Sequence, residues 1–406
     1  MSGPLSGIKV LELSTFVAAP CCARLMADMG ADVIKVERPA GDQWRETGIS
    51  YMPGRFSDQE NPIFDIYNSG KRHIALNLKS PEGMETFHKL MSEADVFITN
   101  TRPAALHRLG IAYEDVKEKY PKLIYAIVLG YGEKGPASNL PAFDTTAFWS
   151  RSGFLRDQAA ILPNGEYHPI NAPSSMGDTV TGYLLLAQIN AALYGRTMTG
   201  KGDYVRSGLF HNAIFTTGTM QIYSQPPWGA KFPMNRLDTG VPGGAYECAD
   251  GEWVFIAAGY MAAIIPTMCK AIGREDLIDD PEFTDGAARW RNRAKYYEIF
   301  REAFLQKTSD EWFKLGVELD MPLVRMGHYS EIATDEQAWA NDYLENVTFA
   351  NGRVDVMPRS PIEMDSVGTL YTKTAPGIGA HTAEILSELG YSQEQIDSMT
   401  ASGAVK

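Results

Sequence analysis

The residue best placed for chemistry in this sequence is Asp178, which follows a glycine in SSMGDTVTGY at the head of a helical run. Aspartate is favoured at helix N-caps, so a structural role is one interpretation. The alternative is catalytic, because backbone N–H groups at a helix start can stabilise an oxyanion. An ordinary aspartate, with a pKa of about 3.9, is ionised at neutral pH and can attack a thioester directly. The pattern alone leaves both interpretations open.

Cations collect around the predicted strand ends of the first hundred or so residues, and four of them directly follow strands. A solvated, salt-bridged surface is the usual role of such side chains. The alternative is recognition of the phosphates of an adenosine 3′-phosphate 5′-diphosphate, for which arginine is the bidentate donor. The set comprises Lys35, Arg38, Arg45, Lys71, Arg72, Arg102 and Arg108.

Two further segments are candidates for ligand contact. The motif GYGEKGP is either a tight turn or a place where Tyr131 and Gly132 approach a ligand closely, since glycine permits such an approach. Phe143, Phe148 and Trp149 are typical core residues that could instead form the wall of an acyl pocket.

Several common site types are missing from the sequence. The first predicted strand is followed by STFVAAP rather than a glycine-rich dinucleotide motif, and P-loop, H-E-x-x-H and G-x-S-x-G motifs are absent. The cysteines, Cys21, Cys22, Cys248 and Cys269, form no C-x-x-C pair. An enzyme that uses a carboxylate, with no metal and no nicotinamide cofactor, is the expectation that remains.

Net charge and hydropathy limit the classes of binding partner that we expect. The net charge of −13 disfavours nucleic acid. No apolar stretch approaches the ~20 residues that cross a bilayer, and Met1–Gly7 lacks the features of a signal peptide. We therefore expect a cytoplasmic protein with no membrane partner.

The elements that must position these residues alternate between strands and helices. Strands separated by helix-length segments predict a doubly wound parallel α/β sheet, whose ligand site lies at the carboxyl ends of the strands. The predicted strands are Ile8–Leu13, Asp32–Glu37, Ile74–Leu78, Asp95–Thr99 and Leu123–Leu129, with helices at Cys21–Met29, Pro81–Glu93 and Tyr183–Tyr194.

A second, smaller α/β domain is predicted over residues 225–325, since 406 residues exceed what one core usually fills. It begins with a Pro- and Gly-rich linker and continues with a hairpin in Gly243–Gly259 around Asp250-Gly251. Residues 1–224 and 326–406 form the large domain. The predicted helices beyond the linker are Ala262–Ile272, Ala294–Leu305, Asp310–Leu315 (starting at Ser309 or Asp310) and Ala383–Leu389.

Seven segments, taken in order, resemble the family III CoA-transferases, which include formyl-CoA and carnitine CoA-transferases. They are PLSGIKVLELS, GADVIKVERPAGDQWR, NTRPAALHRLGI, GYGEKGP, SSMGDTVTGY, YECADGEWV and PGIGAHTAEILSELGYSQEQI. The resemblance covers nearly the whole chain. It implies two α/β domains, an interlocked homodimer, acyl-CoA and carboxylic acid substrates, and no cofactor beyond coenzyme A as a substrate.

The resemblance also implies roles for individual residues. Asp178 would attack the donor acyl-CoA to give a mixed anhydride and would then carry CoA as an aspartyl thioester. Val17 and Ala18 would lie beside the thioester. The residues implied to touch CoA are Arg38, Asn100, Thr101 and Arg108.

Departures from the family pattern refine the expected substrate. Formyl-CoA transferases carry glutamine at the position of Val17, and related racemases carry histidine where this chain has Phe143. Within the family, the segments FVAAP, GYGEKGP with LPAFDTTAFW, and DEQAWANDYL resemble transferases that act on aromatic or branched 2-hydroxy acids. This resemblance implies CoA transfer from an enoyl-CoA such as cinnamoyl-CoA to a 2-hydroxy acid such as phenyllactate or 2-hydroxyisocaproate. The alternatives are a 2-methylacyl-CoA racemase-like isomerase, transfer to a different acid, and a non-catalytic CoA-binding protein.

Overall fold

The computed structural model describes residues 3–46, 60–161, 165–257 and 263–406. The chain divides into two compact units. The large unit comprises Met1–Leu155, Asn171–Tyr223 and Ala333–Lys406, and the small unit comprises Arg156–Ile170 and Ser224–Ile332. The division into a large domain at residues 1–224 and 326–406 and a small domain at residues 225–325 stays a prediction.

The strands are short and spread along the whole chain. In chain order they are β1 Lys9–Leu13, β2 Asp32–Glu37, β3 Arg72–Ala75, β4 Val96–Thr99, β5 Ile124–Leu129, β6 Ala160–Ile161, β7 Tyr167–His168, β8 Tyr204–Gly208, β9 Gly244–Glu247, β10 Trp253–Ile256, β11 Leu323–Arg325, β12 Leu344–Thr348 and β13 Val354–Pro358.

The helices of the large unit include two that flank the candidate site, α1 and α7, and a π-helix at Asp144–Ser150. In chain order the α-helices of the chain are α1 Ala18–Asp28, α2 Pro62–Asn68, α3 Pro81–Glu93, α4 Pro103–Leu109, α5 Tyr113–Val116, α6 Phe154–Asp157, α7 Met176–Thr199, α8 Leu209–Thr216, α9 Gly218–Ser224, α10 Ile264–Ala271, α11 Pro281–Thr284, α12 Gly286–Arg291, α13 Arg293–Phe304, α14 Ser309–Glu318, α15 Glu336–Ala340, α16 Thr382–Glu388 and α17 Gln393–Ala401.

A six-stranded parallel sheet in the order β3-β2-β1-β4-β5-β8 organises the large unit and confirms the predicted α/β class. Strand β5 is apolar and buried along its whole length, as expected for a strand inside a parallel sheet. Strand order reverses between β1 and β4, so the crevice for a ligand lies at the carboxyl ends of these two strands.

The structure corrects several predicted boundaries. Helix α1 begins at Ala18, three residues before the predicted start, and β3 spans Arg72–Ala75 rather than Ile74–Leu78. The sequence interpretation missed β8, which pairs with β5, and the C-terminal helix α17. The remaining predicted strands and helices of the large unit are confirmed to within a few residues or form part of a longer helix, as Tyr183–Tyr194 does within α7.

Helices cover both faces of the parallel sheet. On one face α1 and α7 pack around Cys22, Ile98 and Ile189. On the other face α3, α4 and the C-terminal helices enclose Phe87 and Phe97. With both faces covered, the strand ends are where the sheet can meet a ligand.

The small unit contains the antiparallel sheet β11-β10-β9 with α10 to α14 around it, and its core includes Phe300 and Trp312. The hairpin predicted at Asp250-Gly251 is confirmed, with Gly251 at a φ of 79°. Helix α14 begins at Ser309, and Thr308 is its N-cap. The predicted start of α10, Ala262, lies outside the described residues.

Within the described ranges, no helix combines the length and apolar character needed to cross a lipid bilayer.

Candidate active site

A cavity of about 420 Å³ opens at the carboxyl ends of β1, β4 and β5, the edge of the sheet where the sequence predicted a ligand site. One part of its lining is polar and another part is apolar and aromatic. Its residues include Thr15, Gln43, Asn100, Thr101, Arg102 and Ser138, then Phe16, Leu140, Ala142, Phe143 and Leu209, together with Asp178.

Asp178 lies in the first turn of α7 rather than at its cap. The helix begins at Met176 and its N-cap is Ser175, which has a φ of 62° and makes no capping hydrogen bond through its side chain. The interpretation of Asp178 as the N-cap is therefore wrong. Asp178 instead lines the cavity.

Asp144, which precedes Asp178 by 34 residues, supplies the missing cap. Its Oδ1 accepts the N–H of Asp178 at 3.1 Å, and the N–H groups of Ser175 and Gly177 also donate to it. Its Oδ2 accepts the indole N–H of Trp149 at 3.2 Å. The helix-start donors expected to serve an oxyanion are thus occupied by a carboxylate of the protein.

Both carboxyl groups have raised pKa values. Burial, and then the charge of Asp144, raise the pKa of Asp178 to about 7. Burial raises the pKa of Asp144 to about 6 in spite of its hydrogen bonds. Asp178 therefore does not titrate as the ordinary aspartate, with a pKa of about 3.9, that the sequence interpretation assumed.

The Asp144 carboxylate can approach the helix start because residue 177 is glycine. A Cβ at Gly177 would lie 2.3 Å from Asp144 Oδ1 and 2.4 Å from Phe148 Cγ. Any larger residue would push α7 away from the π-helix that carries Asp144. The glycine before Asp178 is therefore required by packing.

The loop after β1 forms another wall. Phe16 has a φ of 64°, which costs a bulky residue roughly 1–3 kcal/mol. Its N–H donates to Asp42 Oδ1 at 3.2 Å. Thr15 and Asn100 bind each other twice, through Thr15 N–H to Asn100 Oδ1 at 3.0 Å and Asn100 Nδ2 to the Thr15 carbonyl at 2.6 Å. These contacts fasten the β1 loop to the β4 loop.

Two of the predicted phosphate-binding cations belong to a buried ionic network below this loop. Lys35 Nζ lies 2.9 Å from Glu12 Oε1 and 2.9 Å from Asp42 Oδ2. Lys71 Nζ lies 2.7 Å from Glu12 Oε2 and donates to the Pro20 carbonyl at 2.9 Å. Burial would raise the pKa of Glu12, yet the two lysines lower it to about 2.

Two other predicted cations are also engaged away from the cavity. Arg45 is buried and pairs with Glu37 at 2.8 Å. Arg72 opens β3, so it lies at the amino end of the sheet, where it pairs with Asp32 and Glu388. The structure thus gives Lys71 and Arg72 protein partners instead of a place at the cavity, which corrects the prediction that they bind CoA.

The remaining cations lie on the carboxyl side of the sheet. Arg102 lines the cavity at the start of α4. Arg38 follows β2, is exposed and donates to the Gly41 carbonyl at 2.8 Å. Arg108 is exposed in the last turn of α4. All three leave a guanidinium group accessible near the strand ends.

Of the other residues predicted to lie beside CoA, three line the cavity and one is buried next to it. Asn100, Thr101 and Ala18 line the cavity. Val17 is fully buried against Trp44 and Phe64.

The glycine-dense motif forms a turn close to the cavity. Gly132 adopts a φ of 93°, which agrees with a tight turn, and Tyr131 packs under the guanidinium of Arg151 at 5.0 Å. Gly130 at the start of the motif lines the cavity.

The three aromatic candidates for the acyl pocket divide between the core and the cavity. Phe148 and Trp149 are buried and are not among the described residues that line the cavity. Phe143 lines it and is 51% exposed. The acyl-pocket prediction for Phe148 and Trp149 therefore needs correction, since Trp149 instead supports Asp144.

Sequence reasoning missed Asp144 and Asp42. No local spacing in the sequence links Asp144 to Asp178. In the part of the chain that the structure describes, no cluster of three or more His, Cys, Asp or Glu side chains is arranged to hold a metal ion.

A parallel α/β sheet with a carboxyl pair at its switch point defines the class of site, a cavity suited to nucleophilic chemistry by a carboxylate. The pattern of CoA-transferase family III matches residues 5–382. The chain belongs to CoA-transferase family III.

Two curated relatives align over nearly the whole chain. The (R)-2-hydroxy-4-methylpentanoate CoA-transferase of Clostridioides difficile is 40% identical, with 99% of each chain covered. The cinnamoyl-CoA:phenyllactate CoA-transferase of Clostridium sporogenes is 38% identical, covering 97% of this chain and 95% of the relative.

Solved structures share the fold. Rv3272 from Mycobacterium tuberculosis superimposes with a TM-score of 0.80 at 25% identity, covering 95% of this chain and 99% of that one. A CAIB/BAIF family protein from Brucella suis gives a TM-score of 0.79 at 27% identity, covering 96% and 100%.

Proposed function

We propose that this chain transfers CoA from an acyl-CoA, such as the enoyl-CoA cinnamoyl-CoA, to a 2-hydroxy acid. Phenyllactate and 2-hydroxy-4-methylpentanoate (2-hydroxyisocaproate) are the acids suggested by the names of the two relatives. The observation that carries the proposal is Asp178, a carboxyl group of raised pKa in a cavity with one polar and one apolar wall.

The first half of the reaction loads CoA onto the protein. Ionised Asp178 attacks the thioester carbonyl, the carbon–sulfur bond breaks, and CoA leaves as a thiolate from an acyl-aspartyl anhydride. The thiolate then attacks the aspartyl carbonyl, which expels the donor acid as a carboxylate. The product is an aspartyl-CoA thioester on Asp178.

The second half reverses these steps with the new acid. The carboxylate of the 2-hydroxy acid attacks the aspartyl thioester and releases the CoA thiolate from a second anhydride. The thiolate attacks the carbonyl of the 2-hydroxy acid, so the new acyl-CoA forms and the Asp178 carboxylate is regenerated. Retention of CoA in the cavity keeps each thiolate attack effectively intramolecular.

The surroundings of Asp178 suit these steps. Burial makes its carboxylate more basic than one in water, and a more basic oxygen is a better nucleophile toward a thioester. The negative Asp144 adds to this effect, and its bonds to the start of α7 fix the backbone that carries Asp178. Neutral Asp178 has to lose its proton before each turnover begins.

For CoA itself we propose contacts from the carboxyl side of the sheet. Ala18, Asn100 and Thr101 line the cavity, which supports a place for the pantetheine end there. Arg38 and Arg108 are exposed and can reach phosphates. Tyr131 and Gly132 belong to the turn after β5 and would contact CoA from there. Val17 would support the cavity wall from its buried position against Trp44 and Phe64.

The proposal extends to assembly and location. On the resemblance to the family, we propose an interlocked homodimer in the cytoplasm, with 1–224 and 326–406 as the CoA-binding domain and 225–325 as the small domain. The division of the chain into two compact units supports the domain part. Exposed large apolar side chains on α7 to α9, among them Met198 and Phe215, support a partner surface.

Trapping experiments test the nucleophile. Incubation with cinnamoyl-CoA followed by hydroxylamine or borohydride should modify Asp178, as read by mass spectrometry of peptides. Asp178→Asn should abolish both the adduct and CoA transfer across a panel of R- and S-2-hydroxy acids. Transfer by Asp178→Asn, or deuterium entry at the 2-position of an acyl-CoA without any acceptor acid, would contradict the proposal.

A further inference from the structure

Phe143 combines two properties that are unusual together. It is a large aromatic residue that is 51% exposed, yet it lines the same cavity as Asp178. Its neighbour in sequence, Asp144, holds the backbone of Asp178 at 3.1 Å, so the position of Phe143 is tied to the nucleophile. An exposed ring fixed this way is available to a substrate.

Phe16 is held in the cavity wall by a strained backbone. Among the described residues with positive φ, the other non-glycine positions are Ser175, Asp320 and Asp342, so Phe16 is the aromatic one. Its N–H is bound by Asp42, which is itself buried and paired with Lys35. Such strain persists where the surroundings impose it, and it marks functional sites.

The two rings meet edge to face. Their centroids are 5.4 Å apart at an interplanar angle of 84°. On its other side Phe16 contacts Trp44, with centroids 6.0 Å apart at 61°. Trp44 is buried, so the row Trp44, Phe16, Phe143 runs from the core to the open cavity. The aromatic wall is thus formed before a substrate enters.

We propose that Phe16 and Phe143 are the specificity-determining pair for the organic side chain of the substrate. They select flat or branched apolar groups attached to the third carbon of the acid, counted from the reacting carboxyl carbon, and they disfavour small or charged groups. Aromatic rings favour edge-to-face and offset contacts with a planar apolar group. The inference rests on the proposed function, because it names the part of the substrate that the same cavity recognises.

Two substitutions at Phe143 test the pair. The measurement is kcat/KM for phenyllactate divided by kcat/KM for lactate, with a common acyl-CoA donor. Phe143→Ala should lower this ratio by about tenfold or more, mostly because kcat/KM for phenyllactate falls. Pocket contacts of this kind change selectivity about 10- to 200-fold. Phe143→Leu keeps an apolar side chain of similar volume without the ring. It should lower kcat/KM for phenyllactate relative to kcat/KM for 2-hydroxy-4-methylpentanoate.

Phe16→Leu tests the other ring and should shift the ratio in the same direction. The control is Phe313→Ala on α14, because Phe313 is also about half exposed at 43% and does not line the cavity. The control should keep the wild-type ratio. The inference would be overturned if the phenyllactate-to-lactate ratio were unchanged in Phe143→Ala and Phe16→Leu and the phenyllactate-to-2-hydroxy-4-methylpentanoate ratio were unchanged in Phe143→Leu.

A binding measurement separates this inference from the proposed function. In an Asp178→Asn background, calorimetry gives the affinity ratio of cinnamoyl-CoA to acetyl-CoA without turnover. Loss of that ratio in Phe143→Ala supports the pair even if wild-type protein transfers CoA to no 2-hydroxy acid, an outcome that would defeat only the proposed function. Wild-type transfer combined with unchanged ratios in both measurements would defeat only the pair.

Discussion

At the scale of single residues, Asp178 and Asp144 act as one titrating unit. Burial raises the pKa of both groups, and Asp144 also raises that of Asp178 through its charge. The two protons therefore leave the pair in separate steps, both at a higher pH than for an ordinary aspartate.

The first prediction concerns the pH dependence of turnover. Attack needs the ionised form of Asp178, so kcat/KM should rise as pH increases through about 7. Asp144→Asn removes the neighbouring charge and should move this rise to lower pH by about one unit. The amide oxygen can still accept the Asp178 N–H, so a pH–rate profile reports on charge.

Trp149→Phe serves as the control for that profile. It removes the indole donor to Asp144 Oδ2 but keeps a carboxyl group at position 144 that can still ionise. The rise in its profile should therefore move less than the rise in the profile of Asp144→Asn does. A profile of Asp144→Asn that coincides with the wild-type profile would show that Asp144 does not set the pKa of Asp178.

The second prediction concerns stability. The pKa of Asp178 is about 7 in the folded protein and about 3.9 when unfolded, so between these values the folded state holds a proton that the unfolded state has lost. Folding stability therefore falls as pH rises from about 4 to 7. Asp178→Asn removes this loss and should raise the free energy of unfolding at pH 8 by on the order of 2 kcal/mol.

Denaturant unfolding at pH 4.5 and pH 8 measures this effect. The difference between Asp178→Asn and wild type should nearly vanish at the lower pH. The exposed Asp365 provides a control, since Asp365→Asn should stay within about 0.5 kcal/mol of wild type at both pH values. A variant that is less stable than wild type at pH 8 would contradict the raised pKa.

At the scale of elements, the start of α7 depends on its contact with the π-helix Asp144–Ser150. The third prediction is that Gly177→Ala destabilises the protein by about 1–3 kcal/mol and greatly reduces turnover. The added Cβ would overlap Asp144 Oδ1 and Phe148 Cγ, so the helix start has to shift. Thermal unfolding and kcat/KM measure the two effects.

The same helix offers a matched control. Gly195 lies in α7 and a Cβ there would meet no atom within 4 Å. Gly195→Ala should therefore stabilise the protein by about 0.5–1 kcal/mol, because alanine is the better helix former. Equal effects of both substitutions would mean that helix propensity, rather than the approach of Asp144, governs position 177.

At the scale of the whole molecule, the large unit contains a buried ionic network beneath the cavity. The fourth prediction is that Lys35→Met destabilises the protein by about 3–5 kcal/mol, since it leaves the Glu12 and Asp42 charges without Lys35. The ion pair with Glu12 is fully buried at 2.9 Å. Its disturbance should also release Asp42, which holds Phe16.

Lys9 supplies the comparison for Lys35. Its pair with Glu93 is equally short at 2.8 Å, but both side chains are 52% exposed. Lys9→Met should therefore cost at most about 1 kcal/mol. Chemical denaturation of both variants measures the contrast, and a similar small loss for each would show that the buried network contributes little.

The fifth prediction concerns assembly. We expect sedimentation at twice the chain mass, because large apolar side chains on α7 to α9 are exposed in a single chain. Phe215, which is 82% exposed, is a suitable probe. Phe215→Asp should shift the population toward monomer, whereas Glu318→Asp on the exposed end of α14 should not. A wild-type monomer at micromolar concentration would remove the dimer from the proposal.

The sequence by itself determined the α/β class, the order of most elements and the edge of the sheet where the cavity opens. These properties depend on local periodicity and on the rule that parallel sheets bind ligands at their carboxyl ends. The motif around Asp178 likewise indicated this residue as a candidate nucleophile, beside a structural interpretation, because a glycine followed by an acid at a helix start is a local signal.

Only the tertiary structure decided the partners of each charge. Asp144 and Asp178 are 34 residues apart, and Lys71 lies 59 residues from Glu12, so no spacing rule links them. Whether a cation meets a ligand or a buried carboxylate, and whether an aspartate is ionised, depends on burial and on neighbours brought together by folding. For the same reason the sequence could not separate buried Phe148 from Phe143 at the cavity.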